Sequence, residues 1–525
     1  MVITEFIKYL NETKGWNLSS DYYSHIDTWK SWWEGFVPSF HEYQETGVDG
    51  VRRKRQLFRM NMAKQICEDW ASLTLNDKTT FTIKDKSTAK WLLGNKDQTG
   101  GLLRELKFWN NANKLGELMY RSGTGAFVVS CENVRIDTNS KKIVPSNTAK
   151  IIMDYNPAEC IIPITVKHGD VVECAFASEV FVQGKRCVYL QIHEIVTKMN
   201  ELDEIYKTYK ISNEYYESIE DAKGDELKFR KIQLPQGMIS SFETGSLDPW
   251  FALIKPNNVK NIDGGSGLGV AIFNEAIDQI KHCDTAFNNY HRDLYLGGKK
   301  LFYSKRLLEE RLVNGQMVSI APDDVQQQLF WQDTSADPGA QQEVYDYNPA
   351  LRADENSKAV QDALDYLSFK VGLGTHHYQF QNGGVTTATA YIGDRQDMVQ
   401  HANKHQIEIE SGLIQIIKAM IYVGKNVCGA NVDPETEITV NWDDSYISDS
   451  ETRRLNDKQD ALDGFIPKYM YNMEWHGMSE EEARKAVEEA EQEGTSKNEL
   501  SFNDDYDEEE ELIEEEDNAN SRGTK

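Results

Sequence analysis

The chain has 525 residues and a net charge of −28 at pH 7, and its hydrophobic share of 39% is sufficient for a folded core. Because proteins that grip nucleic acid normally carry a basic surface, this charge argues against a general DNA-binding protein. No apolar run approaches the ~18 residues of a membrane span, and the start has no secretory signal pattern, so we expect a soluble protein.

Residues 1–120 have the pattern of helices and are rich in tryptophan. The basic run Arg52 to Arg59 is predicted to open a helix whose inner face is formed by Leu57, Ala63, Cys67, Trp70 and Leu73. Basic charge at a helix start opposes the helix dipole, so we expect an acidic neighbour beside this run. The run is interpreted either as a contact with DNA or a neighbouring subunit, or as a solvated helix end.

From Gly125 to about Phe242 the hydrophobic period changes to two, which indicates β-strands. Short β-rich runs are separated by the turn sequences His168-Gly169-Asp170 and Gln183-Gly184-Lys185. This pattern predicts an antiparallel sheet that is built from hairpins. The N-terminal half is therefore predicted to be α+β, with its helices segregated from its strands.

A glycine-rich turn follows from Asp263 to Gly269. It does not match a dinucleotide-binding fingerprint, because the third glycine comes too early and no good strand precedes it. It also lacks the Gly-Lys-Ser/Thr ending of a phosphate-binding loop. Nucleotide binding is therefore not expected here.

The next helix is predicted to run to about Leu296, and its apolar residues recur every seven positions, at Phe273, Ile280, Phe287 and Leu294. The strip is narrow and the other faces are polar, so this helix packs mainly by one edge. A ring of such helices, each leaning on its neighbour, would form the wall of a tube. An ordinary helix at the edge of a core is the simpler interpretation of the same period.

Residues 356–423 contain a short amphipathic helix, a polar loop and a much longer helix. The first helix has one apolar stripe, made by Val360, Ala363, Leu364, Leu367 and Val371. The loop reads Thr375-His376-His377-Tyr378-Gln379-Phe380-Gln381-Asn382 and contains no obvious catalytic set. Thr386 or Thr387 can cap the following helix, which extends to about Val423 and so over roughly 50 Å.

Further along, the strand Glu437 to Trp442 ends at Asp443 and Asp444, which are interpreted as a turn and helix cap rather than as catalytic carboxylates. Helices are predicted from Glu451 and from Met478, and the last one opens with the acidic sequence Ser479-Glu480-Glu481-Glu482.

The sequence contains no complete metal-binding or nucleophile motif. On the long helix, His401 and His405 with Glu408 could form a metal face, but the His-Glu-x-x-His pattern is absent, so no metal site is predicted. No Gly-x-Ser-x-Gly nucleophile motif occurs. The seven cysteines are odd in number and form no Cys-x-x-Cys pair, which indicates reduced thiols in a cytoplasm rather than disulfides or a zinc ribbon.

The order of these parts resembles the portal proteins of tailed bacteriophages, of the siphovirus type, over roughly residues 50–480. Residues 356–423, with the sequence Gly384-Val385-Thr386-Thr387-Ala388-Thr389-Ala390, are similar to the stem, tunnel loop and long kinked helix of that family. The segment Tyr155-Asn156-Pro157-Ala158-Glu159-Cys160 resembles the wing domain. The strand that ends in an aspartate turn resembles the approach to the helical crown.

The resemblance implies an α+β portal fold with a defined division of the chain. The parts are a helical and β-hairpin wing at 1–262, a stem helix at 263–296, a small α/β clip insertion at 297–353, a second stem helix at 354–373, a tunnel loop at 374–384, a long kinked helix and returning wing strand at 385–442, a helical crown at 443–494 and a disordered acidic tail at 495–525. Within the tail, residues 503–517 hold eleven acidic side chains and no basic one. Such a segment has too few apolar groups to offset the loss of chain entropy on folding, so it is expected to be disordered.

The same resemblance implies a non-enzymatic ring of about twelve subunits at one capsid vertex, assembled in the host bacterial cytoplasm. Double-stranded DNA would pass through the ring, and terminase, head-completion or adaptor proteins, scaffolding and major capsid proteins would be its partners, with no cofactor and no membrane contact. The clip would meet partners through Lys299, Lys300, Lys305 and Arg306. The loop has no lysine between Gly372 and Gly384, so a tight grip on phosphate is not expected.

Two alternatives from other classes remain open at this point. The 11 Trp, 24 Tyr and many carboxylates are also compatible with a cytoplasmic carbohydrate-active hydrolase. The acidic charge is compatible with a scaffolding or adaptor protein of a capsid. Particle size separates the three, because a hydrolase would be small, a scaffold polydisperse and a portal a closed ring.

Overall fold

The computed structural model describes most of the chain, namely residues 2–46, 50–76, 78–95, 99–137, 143–182, 184–199, 205–220, 227–262, 266–304, 309–313, 315–320, 329–332, 344–379, 388–442 and 450–494. The chain divides into two compact units, Met1–Asp444 and Ser445–Lys525. The predicted acidic tail, 495–525, lies outside the described residues, as do Asp443 and Asp444. No helix in the described part of the chain has the length and apolar character to cross a membrane.

The first unit is a mixed α+β structure, which confirms the predicted class. Its helices are α1 (Val2–Lys14), α2 (Asp21–Trp33), α3 (Pro38–His41), α4 (Met62–Thr74), α5 (Lys86–Leu93), α6 (Leu102–Glu105), α7 (Phe108–Ser122), α8 (Ile277–Leu296), α9 (Ala353–Lys370) and α10 (Ala388–Asn426). Short 3₁₀ turns occur at Ala158–Cys160 and Asn274–Ala276.

The strands of this unit are β1 (Glu42–Thr46), β2 (Arg52–Gln56), β3 (Thr80–Ile83), β4 (Gly125–Glu132), β5 (Arg135–Ile136), β6 (Ile143–Val144), β7 (Lys150–Pro157), β8 (Ile161–Lys167), β9 (Asp170–Val182), β10 (Lys185–Met199), β11 (Ile205–Glu220), β12 (Leu227–Ile232), β13 (Ser241–Glu243), β14 (Phe251–Ile254), β15 (Lys300–Ser304), β16 (Glu309–Val313), β17 (Gln316–Ile320), β18 (Leu329–Gln332), β19 (Val344–Tyr347) and β20 (Ile438–Asn441). β20 pairs with β3, so the strand after the long helix returns to the N-terminal region.

The predicted helix start at the basic run is wrong. Residues 52–56 form β2, which pairs antiparallel with β1, and α4 begins only at Met62. In this hairpin Lys54 Nζ lies 2.6 Å from Glu42 Oε2, and Arg55 Nε lies 3.2 Å from Glu45 Oε2. Cross-strand pairs of opposite charge favour the hairpin, whereas the same cations in a first helical turn would oppose the dipole. The expected acidic neighbour is therefore supplied by β1.

The central sheet is antiparallel in the order β12-β11-β10-β9-β8, with β13 on β11, which confirms the predicted hairpins. Side chains alternate between its two faces. One face covers Phe6 and Leu10 of α1, where Phe6 packs edge-on to Tyr216 and Phe229. Each large apolar side chain buried in this way contributes about 1.5–3 kcal/mol. The sheet is thus held to the N-terminal helix.

The long helix α10 crosses a second sheet, of order β14-β4-β7. Its buried side chains follow a helical period: Ile409, Leu413, Ile416, Ile417, Met420 and Val423. At Gly412 a Cβ would lie 2.6 Å from Ile254 Cγ2, so only glycine permits this close approach of helix to sheet. With 39 residues, α10 is about 58 Å long, and it runs three residues beyond the predicted end.

Helices α8 and α9 pack against each other as a pair. The predicted end of α8 at about Leu296 is confirmed, and Asp293 joins it to the start of α9 by accepting from Arg352 at 2.6 Å and from Asn356 at 3.0 Å. The predicted apolar stripe of α9 is buried from Val360 to Leu367. The pair therefore forms one compact support.

The second unit contains α11 (Ser450–Asp463), α12 (Lys468–His476) and α13 (Glu480–Gly494). The predicted opening of the last helix is confirmed as a capping box, in which Ser479 and Glu482 each accept a hydrogen bond from the other's backbone N–H. Within the unit, Trp475 Nε1 donates to Asp457 Oδ2 at 3.0 Å, which ties α12 to α11.

A buried histidine makes the first unit sensitive to acid. His193 of β10 stands edge-on between Phe176 and Phe251, and neither ring nitrogen has a hydrogen-bond partner among the described residues. Burial lowers its pKa from 6.5 to about 3. The unfolded chain then binds an extra proton between these values, so this residue's contribution to stability falls as the pH drops from about 6.5 towards 3.

We expect His193→Leu to raise the free energy of unfolding by about 1–3 kcal/mol at pH 7, because it removes two buried polar atoms that lack partners. It should also flatten the loss of stability between pH 6.5 and pH 4. Urea unfolding at the two pH values measures both effects. An unchanged pH slope, with stability equal to or below that of the wild type, would contradict this account of the residue.

Candidate functional site

The polar loop between α9 and α10 begins as a tightly held segment. Residues 371–374 are buried, whereas Thr375, His376 and Gln379 are exposed. We call residues 371–379 the loop root. Phe380, Gln381 and Asn382 of the predicted loop lie outside the described residues.

Two consecutive residues of α4 hold the two ends of the loop root. Trp70 donates its indole N–H to the carbonyl of Val371 at 3.2 Å. The neighbouring Asp69 accepts the hydroxyl of Tyr378 at 2.7 Å, and His377 Nε2 lies 3.5 Å from the same carboxylate. A helix of the N-terminal region thus clamps the segment before and after its exposed bend.

Helix α9 holds the root from the other side. Gln361 donates from Nε2 to the carbonyl of Tyr378 and to Asp365 Oδ1, both at 2.7 Å. Asp365 Oδ2 also lies 3.3 Å from His376 Nδ1. These contacts orient the exposed side chains of Thr375 and Gln379 relative to the body.

Helix α10 packs against the first turn of the loop root through His401. Gly372 has a φ of +82°, and a Cβ there would lie 2.8 Å from Cδ2 of His401. The position therefore requires glycine both for its backbone conformation and for its space. His401 accordingly packs over the turn through which the chain leaves α9.

Electrostatics favour a charged carboxylate in the clamp. Burial works against charge on Asp69, but hydrogen bonds from His377, Tyr378 and Gln65 outweigh it and lower the pKa of Asp69. Burial, together with the Asp69 charge, raises the pKa of Tyr378. The tyrosine therefore stays a hydroxyl donor to an ionised acceptor, which is the stronger kind of hydrogen bond.

The predicted heptad strip begins outside the helix, because Phe273 precedes the 3₁₀ turn Asn274–Ala276 and α8 starts only at Ile277. The side chains of the strip change from buried to exposed along the chain. Phe273 and Ile280 are fully or nearly buried, Phe287 is half-buried, and Leu294 is 41% exposed. Exposed Tyr295 and Leu296 extend the apolar surface at the same end. This end of α8 is therefore the exposed part of the strip.

The predicted clip contains two groups of strands. β15 pairs in parallel with β18 and antiparallel with β19, and β16 pairs with β17. Lys299 is exposed and Lys300 begins β15, whereas Lys305 and Arg306 lie outside the described residues. The described parts of 297–353 contain strands and no helix before α9, so the α/β composition of the clip stays a prediction.

The three residues of the candidate metal face, His401, His405 and Glu408, each make contacts within the fold. His405 is buried between Trp70 and Tyr120, its Nδ1 accepts the backbone N–H of Asn257 at 3.0 Å, and burial lowers its pKa to about 3. Nδ1 of His401 lies 2.8 Å from the Asp397 carbonyl. Glu408 pairs with Lys255 at 3.5 Å. The three side chains thus face different partners.

Sequence reasoning missed the residues that fix the loop. Asp69 and Trp70 lie about 300 positions before the loop, with the Tyr378 contact spanning 309 residues. No local pattern marks them, since a helix with one carboxylate and one tryptophan is ordinary. Capping and turn patterns identify only contacts between residues that are close in sequence.

Comparison with known families gives one match. A family model described as phage portal protein, SPP1 Gp6-like, matches residues 16–496. The match includes the α4 clamp, the loop root, α8 to α10 and the helices of the second unit. A comparison with curated proteins found no match.

Proposed function

Because the chain belongs to the SPP1 Gp6-like phage portal protein family, we propose that it forms a ring at one capsid vertex, through which viral DNA passes during packaging and ejection. The family is a structural, non-enzymatic one, which speaks against the hydrolase alternative. The ring would have about twelve copies.

The observation that carries this proposal is the clamped loop root between two helices. A loop that touches moving DNA must keep its position while it makes no lasting bond. The clamp of Asp69 and Trp70 supplies the position, and exposed Thr375, His376 and Gln379 supply single hydrogen bonds to passing phosphates. Tyr378 is part of the clamp, so its role is support rather than contact with DNA.

The net charge of the chain suits a channel through which DNA slides better than a surface that holds DNA in place. With −28 on each copy, the net charge of the ring repels the phosphate backbone, which disfavours a lasting grip on DNA. We propose that Thr375 to Asn382 form the channel loop and that 263–296 and 354–373 form the stem. Residues 1–262 and 385–442 would form the wing, 443–494 the crown and 495–525 an acidic tail.

The remaining partners follow from the same assignment. Residues 297–353 would form the clip, to which terminase docks during packaging and head-completion proteins dock later. The candidates for this contact are Lys299, which is exposed, together with Lys300, Lys305 and Arg306. Major capsid and scaffolding proteins would surround the wing, and assembly would take place in the host cytoplasm.

Light scattering on the purified full-length chain tests the ring. A single copy has a mass of 60.1 kDa, and we expect a discrete particle of about 720 kDa for twelve copies. A polydisperse mixture would favour the scaffolding alternative. A particle that stays near 60 kDa over a hundredfold range of concentration would contradict the proposed function.

A further inference from the structure

The hairpin of β1 and β2 is rigidly fixed to α8. His41, which precedes β1, places Nε2 3.1 Å from Oδ2 of Asp284, and both side chains are at most 4% exposed. The other oxygen of Asp284 accepts the backbone N–H of Met60, beyond β2, at 2.7 Å. Leu57 N–H donates to the His41 carbonyl at 2.9 Å. Both ends of the hairpin are therefore anchored, and its surface is preorganised.

The anchored hairpin forms a positively charged patch on a protein whose net charge is negative. All residues of β2 are exposed. Among the described residues of this region, five cations, Arg52, Arg53, Lys54, Arg55 and Arg292, stand beside two carboxylates, Glu42 and Glu45, a difference of three charges. The chain as a whole carries −28, so a second copy presents a net negative charge to this patch.

A cleft of about 570 Å³ separates the hairpin from α8. Its lining includes the cations Arg53, Arg55 and Arg292 and the rings of Phe58, His291 and Tyr295. We call it the basic cleft. Phe58 and Tyr295 are 48% and 78% exposed, although both are large and apolar. Arginine and aromatic side chains together are the usual composition of the centre of a protein interface.

An acidic face lies on the far side of the same helix pair. On α8, Asn288, His291 and Tyr295 face the hairpin, while Asp293 points towards α9 through Arg352. At about 100° per residue these are opposite sides of α8. Beyond α9, a groove of about 460 Å³ is lined by Asp354, Asp362 and Asp365 with Lys358, Gln361 and His376. We call it the acidic groove.

We propose that the basic cleft of one copy receives Asp354 and Asp362 of α9, in the acidic groove of a second copy, while the loop root of that second copy stays open to the channel. Complementary surfaces on opposite sides of one chain make a head-to-tail contact, and such contacts close into rings when the rotation allows it. The exposed aromatic rings of the cleft become buried, and the arginines pair with carboxylates. This inference rests on the proposed ring and names the surfaces that build it.

Two matched variants test the basic cleft. Alternation along β2 puts Arg53 and Arg55 on the cleft side and Arg52 and Lys54 on the other. R53E/R55E and R52E/K54E change the charge equally. The first breaks the Arg55–Glu45 pair, and the second breaks the Lys54–Glu42 pair. We expect R53E/R55E to raise the concentration for half-maximal ring assembly at least about tenfold, and R52E/K54E to leave it close to that of the wild type.

A charge exchange tests the partner surface. D354K/D362K should weaken assembly alone, and mixing it with R53E/R55E should restore rings that neither variant forms by itself. Equal thermal unfolding of the variants, measured at a concentration at which none of them assembles, shows that each copy is folded.

Several results would overturn the proposal. These are normal rings from R53E/R55E, equal loss in both arginine variants, or no rescue in the mixture. Normal rings whose affinity for duplex DNA falls only in R53E/R55E would assign the cleft to DNA instead. A wild-type chain that forms no ring would count against the proposed function itself, whatever the variants do.

Discussion

Asp69→Ala is expected to free the loop root while rings still assemble. The substitution leaves the Tyr378 hydroxyl without its acceptor and removes the partner of His377. Losing a charged acceptor beside a partly buried donor costs about 1–3 kcal/mol, which is enough to release the loop root from its single held position. Hydrogen exchange of residues 371–379 should accelerate by about tenfold or more.

The functional consequence is expected in DNA retention. Heads assembled with Asp69→Ala should package or retain clearly less DNA than wild-type heads, because the loop no longer holds a fixed position at the duplex. Asp69→Asn keeps an acceptor oxygen for Tyr378 and should be intermediate. Glu68→Ala is the matched control, since the preceding residue of α4 pairs with Lys64 instead of the loop. Equal retention in Asp69→Ala and Glu68→Ala heads would contradict the clamp.

Trp70→Ala is expected to be the most destabilising single substitution considered. The side chain is fully buried, packs against His405 and Tyr120, and donates to the Val371 carbonyl. Removing a buried tryptophan typically lowers the free energy of unfolding by about 3–5 kcal/mol, through lost burial and the cavity that remains. Denaturant unfolding of the purified chain measures the loss.

Trp70→Phe separates the contribution of aromatic packing from that of the indole hydrogen bond. It keeps most of the apolar contact and loses the indole N–H, so we expect a stability loss of about 1–2 kcal/mol together with faster exchange at residues 371–374. A Phe variant with unchanged exchange there would show that packing alone holds the start of the root. Trp109, which is half-buried and stacks on Phe81 in another region, provides a control for tryptophan removal.

The periodic parts of the fold could be predicted, because period and packing coincide there. The apolar stripe of α9 and the end of α10 follow residues that are buried against a neighbour. The hairpins of the central sheet follow from alternation and from turns such as His168-Gly169. In each case the signal lies within about twenty residues of the element.

The basic run shows where local reasoning failed. Arg52 to Gln56 has no apolar alternation, and its strand is fixed by carboxylates on β1 and by the buried pair of His41 with Asp284, more than 240 residues apart. The clamp on the loop root is equally non-local. Sequence alone could therefore place the loop between α9 and α10 along the chain, but not the residues that hold it or the surfaces beside it.

Electron cryo-microscopy of the purified full-length particle tests the central claim most directly. We expect end-on views of a closed ring with a central opening about as wide as a DNA duplex. A gold label on Thr375→Cys, with the other reactive cysteines replaced, should appear at the rim of that opening. Rings with the label on the outer surface would contradict the assignment of the channel loop, and particles without a ring would contradict the portal function.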